Sequence, residues 1–254
     1  MKTKFQKFLL FTLCVFWLAP AIAQEEGGNI GTLIKIQAKE GHDEALITAI
    51  TDYHKWIANF DGAMRYNWYR VLTGPDTGDY YAFSGGHNWA DFDAEYDWQD
   101  KAGEVFMENV WPQIADMDRM MVRTVQDWSH WPEDWDGYDL FHLTDWYVHN
   151  GQYGAFRKGM DRIMKALKAG GTKNHWGFHW MESGTKAGHL MLVSPTRGWA
   201  GMAEEDPTFY DIMVKDLGGA EAFDAFMAEW GATFKQGATM TVKWMPGASD
   251  YGDE

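Results

Sequence analysis

The heptapeptide "NHWGFHW", residues 174–180, holds two histidines four positions apart in an aromatic run. On a helix, His175 and His179 would lie on one face and could share a metal ion, as in zinc proteases. On a strand they also share a face, but four residues at about 3.3 Å each separate their Cα atoms by about 13 Å. A zinc ion with nitrogen ligands at about 2.0–2.1 Å cannot then bind both side chains. The secondary structure of this segment therefore decides its chemistry.

We predict a strand over residues 173–182, and hence no metal site. Alternation places Trp176, Phe178 and Trp180 on one face and the two histidines with Gly177 on the other. Two interpretations of the polar face stay open. It is either the solvent-facing side of an edge strand, or the wall of a cleft in which Gly177 lets a ligand approach the backbone.

The sequence repeats itself at an offset of 110 positions. Residues 71–90 align without a gap on 181–200, so that Gly74 meets Gly184 and Trp89 meets Trp199. The stretch 120–125 matches 240–245 at an offset of 120, which places about ten extra residues of the second copy within 202–222, where a lid could form. A period this long indicates two copies of a whole domain, because solenoid units span about 20–50 residues.

Each copy shows the periodicity of a strand, a helix, two strands, a helical region and a last strand. The predicted segments of the first copy are 29–37, 41–60, 64–74, 79–85, 89–117 and 120–128; those of the second are 139–149, 152–169, 173–182, 188–194, 199–236 and 238–245. This β-α-β-β-α-β order is that of the ferredoxin-like unit, whose sheet has one uncovered face. We therefore predict an α+β fold: two tandem ferredoxin-like repeats packed sheet to sheet as a fused barrel.

In this element order, the glycine-marked hairpin and the duplication, the chain resembles the dimeric α/β-barrel superfamily in its tandem form. NIPSNAP-like proteins have this form, and chlorite dismutase-like proteins are a more distant resemblance. The resemblance implies a fold and the binding of a small, aromatic or haem-like ligand between helices and sheet. It does not fix a reaction.

The candidate ligand-binding residues are polar groups that could converge in such a cleft. They are His142, His175, His179 and Arg197 of the second copy, and Arg65 and Tyr69 of the first. A histidine is the favoured general base near neutral pH, although a histidine in an apolar strand is also commonly a hydrogen-bonded core residue.

The second copy is expected to hold the functional cleft, since it replaces Thr32 with His142 and Tyr69 with His179. Replacing His179 with Ala should then weaken ligand binding more than replacing Tyr69 with Phe. If a haem is bound, His142, His175 or His179 is the expected axial ligand.

The chain ends and the linker complete the predicted organisation: 1–23 signal peptide, 24–127 first repeat, 128–138 Trp-rich linker, 139–246 second repeat and 247–254 acidic tail. A basic start, an apolar run of about a dozen residues and Ala21-Ile22-Ala23 are typical of a secretory leader too short to span a bilayer. We expect a periplasmic or secreted protein with no membrane span. The linker tryptophans either form a platform for a sugar or aromatic ligand, or anchor the connection.

Charge and composition exclude several functions. The formal net charge is −15 and no basic run is present, which excludes nucleic acid as a partner. The single cysteine, Cys14, lies in the leader, and neither a nucleophile elbow nor a phosphate or dinucleotide loop occurs. Three functions remain: an exported small-molecule-binding protein, an oxygenase or isomerase using a cleft histidine as base, and a structural assembly module. A homo-oligomer is compatible with each.

Overall fold

A computed structural model describes residues 28–203 and 207–249. The first half comprises β1 (Ile30–Ala38), α1 (Asp43–Ile57), β2 (Asn67–Thr73), β3 (Tyr80–His87), α2 (Gln99–Val105) and β4 (Ile114–Thr124). The second half comprises β5 (Leu140–Val148), α3 (Tyr153–Gly170), β6 (Gly177–Ser183), β7 (His189–Thr196), α4 (Phe209–Leu217), α5 (Ala220–Gly231) and β8 (Phe234–Trp244). The predicted leader (1–23) and residues 250–254 of the predicted tail lie outside the described residues. None of the described helices is long and apolar enough to cross a membrane.

The eight strands form one closed antiparallel barrel in the order β1-β3-β2-β8-β5-β7-β6-β4. The two halves are joined by the pairs β2–β8 and β4–β6, so the strands of both halves form a single barrel. Closure leaves no unpaired edge. The interpretation of residues 173–182 as an edge strand is therefore wrong, because β6 is hydrogen-bonded to β7 on one side and β4 on the other.

Alternation along the strands creates three cores, since successive side chains point into and out of a barrel. The barrel interior is filled by residues such as Leu33, Tyr81, Phe141 and Met240. Outside the barrel, α1 and the α2 region cover the first half around Ile36, Leu46 and Trp68. The helices α3, α4 and α5 cover the second half around Phe156, Phe178 and Trp230.

The segment 89–117 was predicted to be one interrupted helical region, and the structure differs. It contains the two-turn α2, a π turn at Phe106–Val110 and a 3-10 turn at Trp111–Gln113, and β4 begins at Ile114, six residues before the predicted 120. The early start of β4 comes from long-range pairing with β1, which extends to Ala38 opposite Ile114. Such a pairing between distant residues cannot be predicted from the periodicity of the segment itself.

Candidate functional site

A cavity of about 690 Å³ lies between the barrel and the helices of the second half. Its floor is the outer face of β5, β6 and β7, and α3 and α5 form the opposite wall. The apolar lining consists mainly of Trp146, Met160, Ile163, Met164, Phe178, Leu192, Met227 and Trp230. Two smaller cavities measure about 210 and 190 Å³. The largest of the three has the size and apolar character of a small-molecule site.

Side-chain size explains why this cleft is open while its counterpart in the first half is filled. There, Trp68 is 4% exposed and its indole Nε1 donates to His54 Nε2 at 2.9 Å, so the two rings occupy the space between β2 and α1. At the offset of 110, the matching residues are Phe178 and Met164, and both line the cavity. A smaller ring and a flexible thioether thus replace a hydrogen-bonded pair of rings.

His142 lies in the floor of the cavity. His142 belongs to β5 and lies opposite Ser194 of β7 on one side and Thr241 of β8 on the other. Its Nδ1 lies 3.4 Å from Thr241 Oγ1. Burial lowers the pKa of His142 below its ordinary value of 6.5. The imidazole is therefore neutral at pH 7 and can accept a proton from a bound molecule.

One end of the cavity is polar and gathers two more of the predicted residues. His175 precedes β6 and Arg197 follows β7, and these segments meet because the two strands are antiparallel. The Arg197 guanidinium lies 4.4 Å from the centre of the Tyr138 ring, and Arg197 Nε donates to the carbonyl of Asp136 at 3.0 Å. The Tyr138 ring is in turn 5.9 Å from that of His175.

His179 does not line the cavity, which corrects the prediction that it shares a cleft with His175. Its side chain points into the barrel, where its ring contacts Phe83 at 5.5 Å and its Nδ1 lies 3.1 Å from Thr124 Oγ1. Burial lowers the pKa of His179 to about 4. This histidine is therefore a neutral, hydrogen-bonded core residue.

Tyr69 also belongs to the barrel interior. Its ring lies 5.1 Å from that of Phe141, and burial raises the pKa of its hydroxyl. The expected comparison of His179→Ala with Tyr69→Phe therefore concerns two residues of one barrel core, and it does not compare two clefts.

The aromatic face of β6 lines the cavity, so the interpretation of the face with Gly177 and His179 as the cleft wall is wrong. Trp176 and Phe178 face the cavity and the helices. Gly177 does not make room for a ligand, because a Cβ there would lie 1.7 Å from Cζ2 of Trp131, whose ring covers the glycine. His175 escapes the alternation because it stands before the first residue of β6.

Arg65 lies away from the main cavity. It is exposed and borders the 190 Å³ cavity formed by residues 57–65, beyond the end of α1. The structure therefore brings together three of the six predicted residues, His142, His175 and Arg197, and separates His179, Tyr69 and Arg65 from them. Among the described residues, no group of three or more histidine, cysteine or acidic side chains is arranged to hold a metal ion.

A Ser-His-Asp arrangement in the first half escaped the sequence reasoning. Ser84 Oγ lies 2.7 Å from His87 Nε2, and His87 Nδ1 lies 4.0 Å from Asp91 Oδ2. Ser84 is only 2% exposed, whereas a nucleophile must reach the carbonyl carbon of its substrate. The spacing could have suggested a hydrolase, but the burial indicates a structural hydrogen bond.

The linker tryptophans act mainly as anchors. Trp128 is buried and its Nε1 donates to Asp161 Oδ1 at 2.8 Å, which ties the linker to α3. The ring of Trp131 covers Gly177 of β6. Trp135 is 46% exposed and stacks on Phe141. Of the two interpretations of the linker, the contacts of Trp128 and Trp131 favour anchoring.

Comparisons with known proteins bear on the fold. No family model matches the chain, and no curated protein matches its sequence. The structure of an anthrone oxidase-like protein matches with a TM-score of 0.51 and 13% identity, covering 85% of this chain and 91% of the other. A double mutant of chlorite dismutase from Candidatus Nitrospira defluvii matches with a TM-score of 0.51 and 7% identity, covering 87% and 93%. At these identities the likeness shows the fold alone: the chain has the dimeric α/β-barrel fold, with all eight barrel strands supplied by one polypeptide.

Proposed function

We propose that the protein binds a small aromatic molecule in the helix–sheet cleft of its second half. The observation that carries the proposal is the 690 Å³ cavity with neutral His142 in an otherwise largely apolar wall. Such a cavity, with few polar groups on apolar walls, is typical of ligand sites.

The leader-like residues 1–23 support export to the periplasm or the medium. We further infer that the two halves are tandem ferredoxin-like repeats, since the strand orders β4-β1-β3-β2 and β8-β5-β7-β6 match.

The second candidate function is an oxygenase that uses His142 as its base. One structural neighbour is named an anthrone oxidase-like protein. In this reaction His142 would take a proton from an activated CH2 group of the ligand, and the carbanion would form a C–O bond to dioxygen. The protonated imidazole would return its proton to the peroxide, and loss of water from the hydroperoxide would leave a C=O group on the same carbon. The neutral state of His142 at pH 7 favours this role, while the absence of a hydrogen-bonded acidic partner for its ring among the described residues leaves it a weak base.

A fluorescent neutral probe tests the binding proposal. N-phenyl-1-naphthylamine should bind wild-type protein at one saturable site with increased emission. Leu192→Trp and Met227→Trp add an indole on opposite walls of the cavity and should each abolish the signal. Ala222→Trp adds the same ring to the exposed surface of α5 and should not. Retained binding in both cavity variants, with unchanged circular dichroism, would refute the site.

An oxygen electrode separates binding from catalysis. With anthrone as substrate, wild-type protein should consume dioxygen above the uncatalysed rate, and His142→Gln should remove this excess while still binding the neutral probe. No excess consumption in wild type would reject the oxygenase on this substrate and leave the binding function.

Haem is a further candidate occupant, and the residues fit it in part. His142 and His175 border the cavity and could supply an axial nitrogen, whereas His179 lies in the barrel and could not. Titration with hemin should give a saturable Soret shift that His142→Ala removes. A wild-type protein without such a shift would exclude haem. If neither the probe nor hemin binds, the third function, a structural assembly module, gains support.

A further inference from the structure

The charge of the cavity lining is opposite to that of the whole protein. The chain has 37 Asp and Glu against 22 Lys and Arg. Among the described residues that line the cavity there is no Asp or Glu, while Lys173, Arg197, His142 and His175 all contribute to it. A cavity whose described lining contains cations and no carboxylates provides a favourable potential for an anion.

The two permanent cations lie at the same end of the cavity. Gly177 of β6 pairs with Val193 of β7, so Lys173, before β6, and Arg197, after β7, leave the sheet on the same side. Tyr138 enters at this end too, because Leu140 is paired with Thr196. The opposite part of the cavity is enclosed by apolar side chains of α3 and α5. The site therefore has an apolar body and one cationic end.

Neither cation is neutralised by another described residue. No described carboxylate lies within ion-pair distance of the Lys173 ammonium. Among the described residues, the Arg197 guanidinium donates one hydrogen bond, to a backbone carbonyl, and lies over the face of Tyr138, so most of its N–H groups remain available to a ligand. A guanidinium fixed over a ring is already oriented, which reduces the entropy lost when it binds a planar anion.

We propose that the ligand of this cavity is an aromatic anion, with its rings between β5–β7 and the helices and a carboxylate or sulfonate held by Arg197 and Lys173. This inference rests on the proposed function, since it specifies the chemistry of the same cavity. It also places the anionic group at the cationic end and the ring system beside His142.

A matched pair of probes tests the inference. 8-Anilinonaphthalene-1-sulfonate is N-phenyl-1-naphthylamine with one added sulfonate, so the ratio of their dissociation constants isolates the contribution of the charge. In Arg197→Gln and in Lys173→Gln, the affinity for the sulfonate should fall by about three- to tenfold, while the affinity for the neutral probe stays unchanged. Raising the salt concentration should lower the affinity for the sulfonate probe and leave the affinity for the neutral probe unchanged.

Lys235→Gln is the control, because it removes one exposed positive charge at the far end of β8 and should leave both affinities unchanged. Neutral-probe binding with the same affinity ratio in wild type, Arg197→Gln and Lys173→Gln would overturn the inference and leave the proposed function intact. Failure of both probes to bind at the cavity would overturn the proposed function itself.

Discussion

Asp145 of β5 occupies the position that Lys35 occupies in β1, and each side chain contacts the matching residue at the start of the neighbouring strand, with the acidic and the basic partner exchanged. Lys35 Nζ lies 2.5 Å from Asp76 Oδ1 and 3.5 Å from Oδ2 of Asp79, next to the first residue of β3. Asp145 Oδ1 accepts from Nε2 of His189, the first residue of β7, at 2.8 Å. His189 matches Asp79 at the offset of 110. The two halves of the barrel thus share a contact between matching strands, with the acidic and the basic residue on opposite strands in the two halves.

The acidic and the basic residue of the Asp145–His189 pair should be exchangeable between the two strands. His189→Ala should lower the free energy of unfolding by about 3 kcal/mol, because it leaves the Asp145 carboxylate buried without its partner. Asp145→Lys alone should be at least as destabilising, and adding His189→Asp, which copies the pair of the first half, should recover more than half of the loss. Urea denaturation measures each value.

The exposed pair Arg162–Asp216 provides the control for this series. Its atoms are 3.2 Å apart but both side chains are exposed, so Arg162→Ala should change the free energy of unfolding by less than about 1 kcal/mol. A double variant no more stable than Asp145→Lys would show that the two halves do not use equivalent pairs.

His179 should make the protein less stable as the pH falls below neutrality. Its pKa is about 4 in the folded protein and about 6.5 in the unfolded chain, so between these values the unfolded state binds more protons. The stability is fully present above about pH 6.5 and decreases by up to about 1.4 kcal/mol per pH unit as the pH falls towards 4.

Unfolding measured at pH 7.5 and pH 5 tests this expectation. The stability lost between the two values should be about 2 kcal/mol smaller in His179→Gln than in wild type, because the variant has no group to titrate there. The control is His149→Gln, which replaces an exposed histidine. This variant should lose as much stability between the two pH values as wild type. An unchanged loss in His179→Gln would contradict the assignment of His179 as a neutral core residue.

Gly159 of α3 should be needed for the shape of the cavity. A Cβ at this position would lie 2.1 Å from Cδ1 of Trp230, which lines the cavity and whose Nε1 donates to the carbonyl of Phe156 at 3.2 Å. Gly159→Ala should displace this indole, destabilise the protein by about 2 kcal/mol and weaken binding of the neutral probe.

Gly154 in the same helix is the matched control, because no atom lies within 4 Å of a Cβ built there. Gly154→Ala should keep probe binding and raise the stability slightly, as alanine is favoured over glycine in helices. Equal probe affinity in both variants would show that Trp230 does not shape the site.

The sequence by itself was sufficient to predict the α+β class, the alternation of the strands and the order of the strands and helices. Its offset of 110 correctly matched pairs that the structure places in equivalent positions: Thr32 opposite Ser84 in the first half corresponds to His142 opposite Ser194 in the second. These features could be predicted because the spacing of apolar residues, with a period of two in strands and 3.6 in helices, is visible in neighbouring residues of the sequence.

Only the tertiary structure decided which face of each strand borders the cavity. In a barrel wrapped by helices both faces of a strand are covered, so the alternation around Gly177 separates two faces without showing which one faces inward. Trp176 and Phe178 therefore point to the helices, and His179 points into the barrel. The cavity itself depends on the volumes of Phe178 and Met164 relative to Trp68 and His54, and these volumes act only where helix and sheet are packed together.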